Sequence, residues 1–164
     1  MAQQQDARVS AVEERLAELG LTLPEVVAPV AAYVPAVVSG DYVYTSGQLP
    51  MVSGELPAKG KVGNGADAVS ADTAKDLAAT CALNALAAVK GVIGDLDRIT
   101  RIVKVVGFVA SEPDFTGQPA VINGASELLG KVFGEGGAHA RSAVGVAVLP
   151  LDSPVEVELI AEFS

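Results

Sequence analysis

A chain of 164 residues, half of them apolar, suits one domain with a substantial core. A net charge of -9 without any cluster of Lys and Arg argues against a nucleic-acid partner, whose affinity would rest on neutralising phosphates. One cysteine, Cys81, excludes an internal disulfide framework and a multi-cysteine metal site; with no run expected to span a membrane and a polar start at Met1 to Asp6 unlike a signal peptide, a cytoplasmic protein is expected.

Alanine, valine and glycine are abundant and tryptophan is absent, so small side chains must fill the interior, each burying less area than an aromatic ring. The mean hydropathy of +0.40 agrees with an interface between identical chains, because monomers rarely expose large apolar patches. An alanine-rich composition alone would give the same figure.

In chain order, residues 7–19 place Val9, Val12, Leu16 and Leu19 at helical spacing ahead of Gly20, which predicts a short amphipathic helix with a packing role. Pro24 and Pro29 then impose an extended lead-in. Val34 to Val38 and Tyr42 to Ser46 are β-rich runs joined by the turn signal Ser39-Gly40-Asp41, which predicts a hairpin. Gly47 follows the second run. A residue without a side chain lets a ligand reach the main chain there, or simply permits the turn. Met51 to Asn64 reads as a loop or irregular strand, and without a Gly-Lys-Ser/Thr ending it is no phosphate loop.

From Ser70 the pattern becomes helical. Ala74, Leu77, Ala78, Cys81, Ala85, Ala88 and Val89 recur at three and four, Ser70 caps the start with Asp72 in the first turn, and Gly91 and Gly94 end it. Cys81 on that stripe is expected to be a buried, inert thiol. Ile99 to Val109 is almost continuously apolar, which predicts a central strand covered on both faces. Glu112-Pro113-Asp114 ends it. Pro119 then opens another helix whose buried stripe is Val121, Ala125, Leu128, Leu129 and Val132.

The runs Arg141 to Pro150 and Val155 to Ala161, separated by the loop-like Leu151-Asp152-Ser153-Pro154, predict a second β-hairpin. Alternation sends Glu156 and Glu158 to one face and Val155, Val157 and Leu159 to the other. A guanidinium at the mouth of an apolar strand needs an anion, which would be Glu156 or a ligand carboxylate; an ordinary Arg-Glu pair or a solvated strand end is the plainer alternative. His139, the only histidine, lies near Arg141 in sequence and so invites a catalytic role, but a lone histidine after a run of glycines is more often a surface residue, which is the expectation here. One histidine, one cysteine and scattered acids give no metal-ligand spacing, so no metal site is expected. The element order gives α+β, a mixed β-sheet with helices packed on one face.

Three blocks carry a resemblance. Arg141-Ser142, Leu149-Pro150 and Val155-Glu156-Val157-Glu158-Leu159-Ile160-Ala161 are similar to the C-terminal signature of the Rid (YjgF) family of reactive-intermediate deaminases. Ala32-Tyr33-Val34-Pro35-Ala36-Val37 with Val43-Tyr44-Thr45-Ser46-Gly47-Gln48-Leu49-Pro50 resembles the family's tyrosine region and its Ser-Gly-Gln-aliphatic-Pro turn. Asp114-Phe115 and Ile122-Asn123 form a weaker third block, where the family carries a helical asparagine. The blocks stand in the family's order.

The resemblance implies one domain over residues 1–164: a core at 28–162 with the chorismate-mutase-like fold, and residues 1–27 as a helical extension of a longer branch. It implies a homotrimer with a barrel-like core and ligand clefts between subunits. It implies hydrolytic deamination of enamines and imines to 2-keto acids and ammonia, without cofactor or metal, on a small carboxylate-bearing metabolite. Arg141 matches the family's carboxylate-binding arginine and Glu156 the acid that positions or activates water. Tyr33, Gly47 and Asn123 match residues of the cleft, and Ala143 stands where the family usually has a cysteine. A non-catalytic trimer that captures small carboxylates is the alternative. A chorismate-mutase-like activity ranks last, because the chain lacks the several cations a dianionic substrate would demand.

Overall fold

The structure, a computed structural model, describes residues 8–26, 29 and 31–164. The expected boundary between residues 27 and 28 lies outside the described residues. The long helix α2 (Ala71–Ile93) starts where Ser70 Oγ accepts from the Thr73 amide at 3.1 Å and ends at Gly94, whose φ of 85° favours glycine. Gly91 does not interrupt it. Every residue of the expected apolar stripe is buried, Cys81 included. Burial pushes the Cys81 thiol well above its ordinary range, and the Glu156 carboxylate adds to the effect, which disfavours the reactive thiolate. The expectation that nothing approaches a membrane span needs correction: α2 is long and apolar enough to cross one by composition. Over half of its most apolar stretch is buried inside this fold, which accounts for that composition.

Helix α3 (Gln118–Phe133) carries Pro119 in its first turn, where the missing N–H costs nothing, and buries the predicted stripe together with Ile122 and Gly124. Gly124 sets the distance between α2 and α3. Any side chain there would run into the Lys75 carbonyl of α2.

Five strands form one mixed sheet: β1 (Ala36–Ser39), β2 (Tyr42–Thr45), β3 (Ile99–Ala110), β4 (Ala140–Val146) and β5 (Val155–Phe163), in the order β1-β2-β5-β3-β4. The first hairpin is present as expected, pairing Ala36 with Thr45 and Ser39 with Tyr42. The second is not. β4 runs parallel to β3 on one side, and β5 runs antiparallel to β3 on the other, so the two runs expected to pair are separated by the whole of β3. Apolar strand composition is blind to this choice. The connection through Pro150–Asp152 crosses the end of β3, with Leu151 and Asp152 held at φ 57° and 60°.

The helices cover one face of the sheet. Val155, Val157, Leu159 and Ala161 of β5 and Ile102, Val105 and Val109 of β3 enter a single core with both long helices. The other face is open in the single chain, with Lys104, Val106 and Phe108 only partly covered. The expectation that β3 is covered on both faces is therefore corrected to one.

Helix α1 (Ala11–Glu18) is shorter than the predicted 7–19, and only Val12 and Leu16 of the expected stripe are buried. Val9 and Leu19 are exposed. The start is fixed by the N-cap Ser10, whose Oγ accepts from the Glu13 amide at 3.4 Å, together with a distant residue. Asp97 accepts from the Ala11 and Val12 amides, both at 2.9 Å, and from Ser10 Oγ at 2.7 Å, so the helix starts there. Desolvation works against the charged Asp97, but these hydrogen bonds outweigh it and hold its carboxyl below the usual carboxylate range. Arg15 Nε donating to the Val132 carbonyl and Lys90 pairing with Glu13 at 2.6 Å complete the docking of α1.

Candidate functional site

Arg141 enters from β4 opposite Val105, a core residue, so its side chain leaves the sheet on the helix side. It meets α3. Nη1 donates to Asn123 Oδ1 at 2.8 Å and to Ser126 Oγ at 3.1 Å, and Nη2 donates to the Pro119 carbonyl at 3.3 Å. Asn123 and Ser126 are three residues apart and share one helix face, which is why both reach the same guanidinium. All three acceptors are neutral. The described ion pairs are Lys75–Glu127 and Lys90–Glu13, so Arg141 has no counter-ion among the described residues. Glu156, one candidate for the anion, is not its partner.

Ala143, two residues on, faces the same side, partly covered by the core. His139 differs from expectation. It is partly buried, with Nδ1 2.6 Å from the Gly137 carbonyl and Nε2 2.9 Å from Ser126 Oγ. Packing of the Gly134–Gly137 turn against the end of α3 draws the ring inward.

Glu156 lies on β5 between the buried Val155 and Val157 and therefore points to the open face. Its carboxylate occupies the space where a side chain at Gly47 would be. That proximity is built by the backbone: Gln48 and Val157 exchange hydrogen bonds of 2.8 and 3.0 Å, and Ser46 N donates to the Pro35 carbonyl at 2.8 Å. Burial, with the neighbouring Glu158 carboxylate second, raises the Glu156 pKa above the ordinary glutamate value. Tyr33 is 58 % exposed just before β1. Ser46 Oγ ties the chain beside it by donating to the Val34 carbonyl at 2.6 Å.

The expected site residues thus fall into two groups. Arg141, Asn123 and Ala143 stand on the helix side of the sheet by β4; Gly47 and Glu156 stand together on the other side, with Tyr33 at the start of the hairpin that leads to Gly47. A depression of about 110 Å³ on the open face is lined by Tyr44, Lys104, Val106, Glu158 and Ile160 among others, and neither Arg141 nor Glu156 lines it. Among the described residues, no three His, Cys, Asp or Glu side chains gather as a metal site would require. Ser126 escaped sequence reasoning. Its only signal is its position three residues after Asn123 on one helix face.

Residues 13–163 match the model of a family described as "YjgF/chorismate mutase-like, putative endoribonuclease". The Trypanosoma cruzi protein TCP17 is 42 % identical over 160 residues, 93 % of this chain and 94 % of that protein. The crystal structure of Atu1372 from Agrobacterium tumefaciens, of unknown function, superposes with a TM-score of 0.85 at 47 % identity, covering 94 % of each chain. Escherichia coli TdcF with bound serine superposes with a TM-score of 0.58 at 30 % identity, over 84 % of this chain and 92 % of that one.

Proposed function

The chain belongs to the YjgF/chorismate-mutase-like family, also called Rid, and on that premise we propose that it is a hydrolytic deaminase of reactive 2-imino acids and their enamine tautomers. The observation that carries the reading is Arg141: a partly buried guanidinium held in place by three neutral oxygens and left without an anion among the described residues. Its natural complement is a ligand carboxylate. Bound serine in the TdcF structure supports a ligand of that class. The net charge of -9 favours a small metabolite over the RNA that the family's endoribonuclease description would require.

The second charge of the reaction is Glu156. Arg141 and Glu156 project from opposite faces of one sheet, so a cleft that uses both is best made between neighbouring copies, one offering Arg141, Asn123 and Ala143, the other Glu156, Gly47 and Tyr33. The partly covered apolar side chains of the open face fit burial in a homotrimeric barrel. In this reading residues 28–162 form the shared core and residues 1–27 the extension.

The chemistry needs orientation more than power. Arg141 holds the substrate carboxylate and thereby fixes the adjacent C=N carbon. Glu156, with its raised pKa, accepts a proton from water as the oxygen adds to that carbon, and the proton passes to nitrogen. The carbinolamine then collapses. The C–N bond breaks, ammonia leaves and the 2-keto acid remains, so imine plus water balances keto acid plus ammonia without redox change. Ala143, where relatives usually carry a thiol, favours a second reading as a non-catalytic carboxylate binder in the same cleft. Release of ammonia from 2-iminopropionate generated in situ separates the two. A catalyst exceeds the spontaneous rate, whereas a binder leaves that rate unchanged and still takes up carboxylates.

A further inference from the structure

The hydrogen bonds behind Arg141 have a direction. A carbonyl only accepts, so His139 Nδ1, 2.6 Å from the Gly137 oxygen, carries a proton. In the neutral ring Nε2 is then the acceptor, and the Ser126 hydroxyl, 2.9 Å away, donates to it. A hydroxyl has one proton. With that proton committed to His139, what Ser126 turns toward Arg141 Nη1 at 3.1 Å is a lone pair. Gly137 is buried, so its carbonyl keeps the ring as its partner instead of water.

The donor count of Arg141 completes the argument. Of its five N–H groups, both on Nη1 go to Asn123 and Ser126 and one on Nη2 goes to the Pro119 carbonyl. The Nε–H and the second Nη2–H have no partner among the described residues. Nε and Nη2 flank one edge of the guanidinium, the edge that can meet a carboxylate bidentately.

We infer that Ser126 and His139 are positioning residues: the Gly137 carbonyl orients His139, His139 orients the Ser126 hydroxyl, and Ser126 with Asn123 locks Nη1 so that the Nε edge of Arg141 faces a small 2-oxo or 2-imino monocarboxylate. This rests on the reading of Arg141 as the carboxylate-binding group. Neither residue touches the ligand; both act through Arg141.

The test is binding, so it does not depend on turnover. Pyruvate is titrated by calorimetry into the full-length protein and into S126A, S126T, H139A, H139Q, S126A/H139A and R141A, with the melting temperature of each recorded. The expected result is a loss of affinity of about threefold to tenfold for S126A and for H139A at near-native melting temperature, the scale of one hydrogen bond. S126T, which keeps the hydroxyl, should bind within about twofold of wild type, and S126A/H139A should bind no worse than S126A alone, because both changes act on one hydroxyl. Wild-type affinity in S126A or H139A, or additive losses in the double variant, would overturn the inference. If H139A fails to fold, H139Q and S126A/H139Q replace it and the double variant: the Gln amide lacks the anchored ring, and losses that add fully with S126A would count against the relay. R141A reports separately. If wild type does not bind pyruvate, or R141A binds it equally well, the carboxylate reading itself fails and takes the inference with it.

Discussion

On the helix side of the sheet a cation is held by a dense set of neutral acceptors: Arg141 meets Asn123, Ser126 and the Pro119 carbonyl, and His139 stands behind Ser126. On the open side an anion is held by shape. Glu156 rests against Gly47, flanked by a second carboxylate at Glu158, and no cation lies within ion-pair distance among the described residues. The first arrangement fixes a charge in one orientation and leaves two donors to spare. The second leaves a carboxylate reluctant to ionise, which suits a proton acceptor better than a structural ion pair. These two groups of opposite character on opposite faces are what the proposed cleft between copies would bring together.

The largest effect should follow from removing the cation. Arg141→Ala is expected to weaken carboxylate binding by about 2–5 kcal/mol, the range for losing one member of a hydrogen-bonded charge pair, and Arg141→Lys should rescue little of it because an ammonium cannot reproduce the planar fork. Calorimetry with a 2-oxo acid checks both. Next, Glu156→Gln should lower turnover on the order of 10²-fold while leaving the dissociation constant of the same 2-oxo acid nearly unchanged. That split between rate and binding is what distinguishes the two faces; equal losses in both quantities would erase the distinction.

The pH dependence of Glu156 can be signed. Its folded pKa is raised, so its contribution to stability is full below the unfolded pKa and is lost as pH rises through the folded value. Glu156→Gln, which resembles the protonated form, should therefore raise the melting temperature at neutral pH and lose that advantage in acid. The acid limb of kcat/KM should correspondingly lie above the ordinary glutamate pKa.

Behind the site, Gly124→Ala should cost about 1–3 kcal/mol in urea unfolding, because a methyl group there forces α2 and α3 apart and shifts the helix that holds Asn123 and Ser126. The smallest effect belongs to α1. Asp97→Ala should cost about 1 kcal/mol, as other lost helix caps do, and should expose α1 to protease while leaving carboxylate binding intact. With its folded pKa lowered, Asp97 stabilises above its unfolded pKa, and that contribution disappears as pH falls through the folded value.

Most local structure was legible in the sequence because its causes are local. Ser70, Gly20 and Gly94 mark helix ends by capping and positive φ, and alternation along Val155 to Leu159 placed Glu156 on the face opposite the core. The pairing of the first hairpin was legible as well, but that of the last two strands was not. β4 and β5 have the composition of a hairpin, and only the insertion of β3 between them, a contact set by distant packing, decides otherwise. The start of α1 was legible only in part: Ser10 is a local N-cap for the Glu13 amide, whereas Asp97, which holds the Ala11 and Val12 amides, lies 86 residues from Ala11. Within the site, Arg141 and Glu156 stood out by charge on apolar strands. Ser126 carries no such contrast, and His139 looked like a loop residue until its two partners were brought to it by the turn at Gly134–Gly137.

In the proposed assembly Arg141 of one copy and Glu156 of the next share a cleft, and mixing subunits decides whether they do. Arg141→Ala and Glu156→Gln chains, each inactive alone, would be unfolded together at equal concentration, refolded and assayed for ammonia release from 2-iminopropionate. A site shared between neighbours predicts recovery of about a quarter of wild-type activity in a randomly mixed cyclic trimer, since one site in four then pairs an intact arginine with an intact glutamate. A mixture no more active than its two parents, from refolded chains that have demonstrably exchanged, would contradict it.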